Sequence, residues 1–290
     1  PPPPPVTPMS DPHQDLPGVV IVEGDPTGAG PWQAALARAT AVVHLAGEPL
    51  AGRRWDARTK QRLVDSRVES TRFVVEGIAA LPAADRPVAL VCASGADYYP
   101  FAVDLGAALD LDEDDEVTES SRPGDSFLSR LCRRWEGEAI LARDLGLRVA
   151  LMRTGVVLGR GGALARMTLP FRWFGGGRLG SGRQWVSWIH LADVVAAYLV
   201  ALDQPDLDGP VNVVAPEAVR AEALARAVGR ALRRPSWLPV PAFALRAAVG
   251  ELSDYLLNGR RVVPSVLTGR GFRFAFPTLE AALADALAPG

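Results

Sequence analysis

The sequence predicts an α/β fold: a mostly parallel sheet followed by a smaller C-terminal lobe. Three observations carry this. Short apolar runs at Ala41–Leu45, Val88–Ala93 and Val149–Leu158 alternate with amphipathic helical segments, the order of strands and crossover helices in a parallel sheet. The stretch Gly180 to Val195, GSGRQWVSWIHLADVV, steps sharply from period 2 to period 3.6. Beyond Pro235 the pattern changes to proline spacers and short helical segments. A chain of 290 residues has room for one large domain and a smaller lobe.

Residues 1–17, PPPPPVTPMSDPHQDLP, cannot pack and read as a disordered, proline-rich tail. Val19–Val22 reads as a short buried strand. GDPTGAG and a helix over Pro31–Ala39 follow, imitating a dinucleotide fingerprint. Gln33 stands at the third glycine position and Pro31 removes an amide, so a plain turn is the better reading. The strand Ala41–Leu45 ends in Ala46-Gly47-Glu48-Pro49, small residues that allow a ligand close to the backbone. His44 lies inside that apolar run and reads as a satisfied core histidine.

Asp56 can cap a long helix reaching about Ala80, with Leu63, Val64, Val68, Val74, Val75 and Ile78 as its stripe. Arg67 and Thr71 fall inside the stripe. A guanidinium there either meets an anion or snorkels to the rim. Val88–Ala93 opens into Ser94-Gly95-Ala96-Asp97-Tyr98-Tyr99-Pro100. The acidic run Asp110 to Glu116 places six acids in seven residues. Asp115 takes the glycine place of a calcium loop and Ser121 its last ligand place, so a solvated loop is expected and no metal site. Leu128, Leu131, Cys132, Trp135, Ala139 and Ala142 mark a core-facing helix ending at Gly146. Arg153-Thr154-Gly155 interrupts the next strand, and Pro170–Gly182 reads as a substrate-facing loop. Val211–Val214 is a strand containing Asn212, followed by a helix over Ala221–Leu232. A helix around Phe243–Leu257, an alternating strand Phe272–Phe276 and a last helix capped by Thr278 complete the chain.

The net charge of −2 gives no electrostatic case for nucleic acid or an anionic membrane. No apolar run approaches the roughly 18 residues of a membrane span. The two cysteines, Cys92 and Cys132, suit buried thiols in a reducing, cytoplasmic setting.

Five segments now agree in order: AVVHLAGEPLAGRRW, DSRVEST, the turn from Ser94 to Tyr99, RTGVVLGRGGAL and GSGRQWVSWIHLADVV. GPVNVVAPE and GFRFAFPTLEAAL extend the match, which covers about residues 19–288. In this combination the chain resembles the epimerase-family proteins of the atypical short-chain dehydrogenase/reductase group. The resemblance implies a Rossmann-like sheet, NADP as cofactor with NAD possible, and a small-molecule substrate. It divides the chain into the tail at 1–17, a nucleotide-binding core at 18–165 and a substrate lobe at 166–290. Strand 211–214 returns to the core, and segment 236–288 is specific to the family. Carried over position by position, Leu45, Ala46, Gly47, Arg62, Arg67 and Val157 face the cofactor. Arg153, Trp185, Trp188, His190 and Asn212 are candidates for the substrate pocket, with Trp173 and Arg183; the alternative for the tryptophans is core packing between the lobes, and for His190 and Asp193 capping and hinge bonding. Ser94 aligns with the serine that polarises a carbonyl in active relatives, and Tyr98 or Tyr99 could donate a proton.

Two departures stand out. Active short-chain reductases use Tyr-x-x-x-Lys, and this chain has no such pair: its single lysine, Lys60, has Asp56 four residues before it. Leu128 and Cys132 occupy the positions where the pair belongs. The family also opens with a strand and a glycine-rich turn, and no such unit precedes Val19. The expected sheet is therefore incomplete at its N-terminal side. Val19–Val22 shifts into the vacant place, or a gap remains, or the sequence is truncated; truncation is the favoured expectation and puts cofactor binding by this chain in question. Three functions stay open: an NADP-dependent oxidoreductase or epimerase on a small polar substrate, a non-catalytic dinucleotide-binding or sensing protein, and a truncated inactive form.

Overall fold

The protein is described by a computed structural model over residues 17–101 and 114–288. The expected disordered tail, except Pro17, and the first part of the acidic run lie outside the described residues.

The sheet has four parallel strands in the order β1 (Ala41–His44), β2 (Ala89–Gly95), β4 (Arg148–Thr154) and β8 (Gly209–Val213). β3 (Glu116–Val117) lies outside it and pairs with β10 (Arg261–Val262). The near-continuous apolar runs of β2 and β4 match burial on both faces, since a parallel sheet carries helices on each side. On one face sit α1 (Ala57–Val64), α2 (Ser70–Ala79) and α3 (Phe127–Ile140), packing Leu63, Val74, Ile78, Leu131 and Trp135 onto Leu90, Cys92, Val149 and Leu151. On the other, α5 (Leu191–Asp203) and α9 (Ser265–Gly269) cover Val91, Ala150, Met152, Val211 and Val213. Each fully buried aliphatic side chain stabilises the layers by about 1.5–3 kcal/mol.

Capping sets the helix starts. The Asp56 carboxylate accepts from the Thr59 amide at 2.6 Å, and the Ser126 hydroxyl from the Ser129 amide at 3.1 Å. Such a cap contributes about 1 kcal/mol. The expected single helix from Asp56 to Ala80 is α1 and α2 joined by a π turn, Asp65–Glu69, which carries Arg67. π turns inside helices occur often at functional sites. His44, Cys92 and Cys132 are buried as expected, and both thiols are free. His44 Nε2 and Ser70 Oγ are 3.1 Å apart, and burial holds the imidazole down at about 4.

β5 (Val156–Leu158) leaves the sheet after Gly155 and pairs with β7 (Trp188–His190). A Cβ on Gly155 would stand 2.5 Å from the Ser187 carbonyl oxygen, so only glycine allows this approach. The lobe core packs α4 (Gly162–Arg172), α6 (Ala221–Leu232) and α10 (Leu279–Ala286) around Trp188. Its small sheet pairs β6 (Trp185–Val186) with β9 (Val219–Arg220).

Several expectations are corrected. Val19–Val22 is not a strand: it is irregular, with all four side chains about half exposed or more, and it pairs with no described strand. β1 is the sheet edge among the described residues. The alternation Phe272–Phe276 is not a strand either. Phe272 and Phe274 pack edge to face at 4.8 Å, while the Ala275 and Phe276 amides donate to the Asp193 carboxylate instead of a ladder. The helix expected around Phe243–Leu257 is two, α7 (Ala242–Val249) and α8 (Leu252–Leu257), separated at Gly250 with φ +64°. Thr278 occupies the N-cap of α10, but the side chain that accepts from the Leu279 amide is Glu217, at 2.7 Å. The loop expected from Pro170 begins later, since α4 runs to Arg172.

Candidate functional site

Small residues follow β1 at the C-terminal end of the sheet. Leu45 is exposed, Ala46 is partly buried, and Gly47 and Glu48 pass over Arg67. The Arg67 guanidinium donates to three oxygens, the carbonyls of Leu63 and Glu48 and the Ser66 hydroxyl, and stacks 5.4 Å over the Trp135 ring. A Cβ on Gly47 would lie 3.1 Å from Arg67 Cζ, so glycine there leaves the guanidinium room. Among the described residues no carboxylate forms a salt bridge with Arg67. Burial lowers its affinity for its proton, only partly offset by Cys132, Asp97 and Glu48. A desolvated cation held by neutral oxygens is a site for an anion. Five residues earlier, Arg62 carries a buried Nε with no hydrogen-bond partner.

The ends of β2, β4 and β8 carry a second cluster, and it is closed. Arg153 and Glu136 form a bidentate pair, Nε to Oε1 and Nη2 to Oε2, each at 2.8 Å. Both are about 4% exposed. Ser94 Oγ donates to Glu136 Oε1 at 2.7 Å. Arg153 Nη1 donates to Tyr99 OH at 3.0 Å, and Tyr99 OH donates to Asn212 Oδ1 at 2.6 Å. Asn212 in turn donates from its side chain to the Val263 carbonyl and from its amide to Glu119. The Arg153 guanidinium lies 3.4 Å over the Tyr98 ring. Burial opposes the Arg153 charge, but the Glu136 hydrogen bonds and charge outweigh it and raise its proton affinity. Burial pushes the Tyr99 phenol up to about 12.

The structure thus joins Ser94, Tyr98, Tyr99, Arg153 and Asn212, yet in a largely hydrogen-bonded network, with Glu119 Oε2 as a buried atom in it that has no partner. Ser94 is not free to polarise a carbonyl while it donates to Glu136, and Tyr99 is fully buried with its hydroxyl engaged on both sides. The expected tryptophan wall does not form. Trp188 is fully buried in the lobe core, Trp173 is exposed, and Trp185 lies under Arg220 at 4.0 Å with its Nε1 donating to Asp114. Bulk decides this: an apolar ring flanked by helices on three sides gains more from the core than from a cleft. His190 caps α5 through Nδ1, stacks on Phe276 at 3.8 Å and faces Asp285 at 3.1 Å, which makes it a hinge of the lobe. Val157 sits opposite Ile189 in the β5–β7 pair, and Arg183 is exposed with its amide on Ser181 Oγ.

Two residues escaped the sequence reading. Glu136 had a signal: it falls four residues after Cys132 on the buried stripe of α3, where a carboxylate needs a cation. Asp97 sits in the turn Ala96–Tyr98, where a carboxylate carries no sequence signal of burial. Burial raises its carboxyl to about 6, with Arg67 pulling the other way. Two cavities among the described residues, of about 300 and 310 Å³, lie away from these strand ends, beside Arg270 and beside Trp237.

The profile of the NAD dependent epimerase/dehydratase family matches residues 6–215, and a domain of unknown function, DUF1731, matches residues 240–286. The chloroplastic epimerase family protein SDR39U1 homolog of Arabidopsis thaliana is 41% identical over 273 residues, spanning 94% of this chain and 74% of that protein. The epimerase family protein YfhF of Bacillus subtilis is 37% identical over 247 residues, 85% of this chain and 77% of that one. Among solved structures, human epimerase family protein SDR39U1 with NADPH superposes with a TM-score of 0.78 at 34% identity, covering 89% of this chain and 88% of that chain. A nucleoside-diphosphate sugar epimerase from Corynebacterium glutamicum gives a TM-score of 0.69 at 30% identity, over 91% of this chain and 49% of that one. The sheet is of the Rossmann type, and the chain belongs to the NAD-dependent epimerase/dehydratase family, among its SDR39U1-like members.

Proposed function

We propose that the protein binds a nicotinamide dinucleotide, NADP(H) with NAD possible, at the C-terminal ends of β1 and β2, and works as an oxidoreductase or epimerase on a small polar substrate. One observation carries the reading: the half-buried Arg67 guanidinium donates to neutral oxygens and forms no salt bridge with a carboxylate among the described residues, beside the small residues that end β1. The donor set fits the phosphate-bearing part of such a cofactor. Arg67 and the unpartnered Nε of Arg62 supply charge, and Gly47 supplies close approach. The NADPH in the human relative's structure supports the choice of dinucleotide.

When bound, the nicotinamide gives or accepts a hydride. The chain's own residues position and exclude. Arg67 and Arg62 hold the anion, Leu45 and Ala46 face it, and the network around Arg153 keeps the strand ends rigid. A reducing, cytoplasmic setting is supported by the two free buried thiols. No helix of the described residues is long and apolar enough to cross a membrane.

A non-catalytic, dinucleotide-sensing role is the second reading. It is favoured by the engagement of Ser94 and Tyr99 and by the missing Tyr-x-x-x-Lys pair. Fluorescence titration with NADPH, followed by NADPH consumption with a panel of small polar carbonyl compounds, separates the two. Binding with turnover supports the first reading, binding without turnover the second, and no saturable binding sinks both.

A further inference from the structure

The crevice has lost the tyrosine–lysine pair, so it needs another group to move a proton. Most of its titratable groups are unsuited. Burial pushes the Tyr99 phenol and the Cys132 thiol each up to about 12. Tyr255 is raised as well, chiefly by burial, Ser94 donates to Glu136, and the Arg153 guanidinium covers the Tyr98 ring at 3.4 Å. One carboxyl differs. Asp97 lies in the helical turn Ala96–Tyr98 that directly follows β2, three residues after Ser94. Ser129 Oγ donates to its main-chain carbonyl at 2.8 Å, which fixes the turn. Among the described residues no donor reaches its carboxylate with a hydrogen bond. Its Oδ2 stands 3.4 Å from the place of a Cβ on Gly95, and Cys132 Sγ stands at the same distance from that point. The carboxyl and the Cys132 thiol thus border the same point over Gly95, and Cys132 holds the position of the family lysine.

We propose that the Asp97 carboxyl is the acid–base group of this crevice, standing in for the absent tyrosine–lysine pair. The proposal rests on the oxidoreductase reading above. In the reducing direction a substrate carbonyl carbon takes hydride, with its electron pair, from the reduced dinucleotide. The carbonyl oxygen takes the Asp97 proton, leaving an alcohol, an Asp97 carboxylate and the oxidised dinucleotide. The reverse direction returns the proton to Asp97. Burial holds this carboxyl at about 6 against the attraction of Arg67, close to neutral pH, where a general acid–base is most effective. The groups that face it are Arg67 from the π turn, Cys132 from α3 and Tyr255 from α8. Glu48 acts on it through Arg67, and Glu136 through Cys132.

The test uses the full chain as wild type, Asp97→Asn and Asp97→Glu. Difference infrared spectroscopy follows the protonated-carboxyl band across the neutral range, with and without NADPH. Consumption of NADPH with glyceraldehyde, a small polar carbonyl compound, serves as the turnover probe. The proposal expects a band that titrates near 6 in wild type, is absent in Asp97→Asn and moves when NADPH is added. It expects Asp97→Asn to lose about a hundredfold or more in kcat, with the KM for NADPH within a few-fold of wild type. Asp97→Glu restores part of the rate and displaces the pH profile. NADPH binding with wild-type turnover in Asp97→Asn, or a band indifferent to NADPH, overturns the role of Asp97 alone. A wild-type chain that binds no NADPH overturns both that role and the reading of the crevice.

Discussion

Two charged clusters share the C-terminal end of one sheet, and they are built on opposite terms. Around Arg153 the principal charges are matched: the guanidinium meets a carboxylate through two hydrogen bonds, and serine, tyrosine and asparagine complete the set. Around Arg67 the charges are left over. A guanidinium rests on neutral oxygens, and a carboxylate near it takes no hydrogen bond. A buried network with its partners present holds architecture, while one that lacks them stands ready for a ligand. The difference also shows in Ser94, which aligns with a catalytic serine, and in Tyr99: both hydroxyls are engaged in the matched cluster.

The comparison is sharpened most by breaking the closed cluster. Arg153→Met leaves Glu136 buried without its cation and should cost about 3–5 kcal/mol in urea unfolding. NADPH affinity per folded molecule should stay within a few-fold of wild type. A variant that keeps its stability and loses NADPH instead would reverse the assignment of the two clusters.

The open cluster should respond with the opposite sign. Asp97 is raised in the folded state from 3.8 to about 6. A carboxyl raised in this way contributes stability that is fully present below pH 3.8 and is lost as pH rises through about 6. Asp97→Asn should therefore be more stable than wild type above that pH, by up to roughly 3 kcal/mol, with the advantage vanishing toward pH 4. Thermal unfolding at several pH values measures it, and an equal effect at all pH values would contradict the assignment.

Smaller changes follow the same division. Tyr99→Phe removes the hydroxyl between Arg153 and Asn212 and should destabilise by about 1–3 kcal/mol, with no change in the pH profile of turnover. Gly47→Ala places a methyl 3.1 Å from Arg67 Cζ and should weaken NADPH by a few-fold at unchanged unfolding midpoint. Calorimetric titration beside urea unfolding separates the two quantities.

Much of the frame was legible because burial leaves a pattern in the sequence. The runs through β2 and β4, the stripe of α3 and the cap at Asp56 all show it, as do His44 and the two thiols inside apolar segments. Misreadings arose where a pattern had another cause. Val19–Val22 is apolar enough for a strand, but strands exist by pairing, and it pairs with none among the described residues. Phe272 to Phe276 alternate because two rings enter one core and the third stacks on His190. For the site, Arg67 was legible as a cation inside an apolar stripe. The partners of Arg153 were not, because Glu136 comes from a helix 17 residues earlier and Asn212 from the far edge strand. Asp97 becomes visible only when β2, α3 and the π turn are brought together.

The proposed dinucleotide site centres on Arg67, whose guanidinium lies beside Gly47 and Glu48 after β1. Calorimetric titration of NADPH into the wild-type chain and into Arg67→Gln addresses it directly, with unfolding midpoints recorded for both. Saturable binding in wild type and a loss of about 10- to 100-fold in Arg67→Gln, both chains folded, is the expected result. Equal affinity in the two folded chains would contradict it.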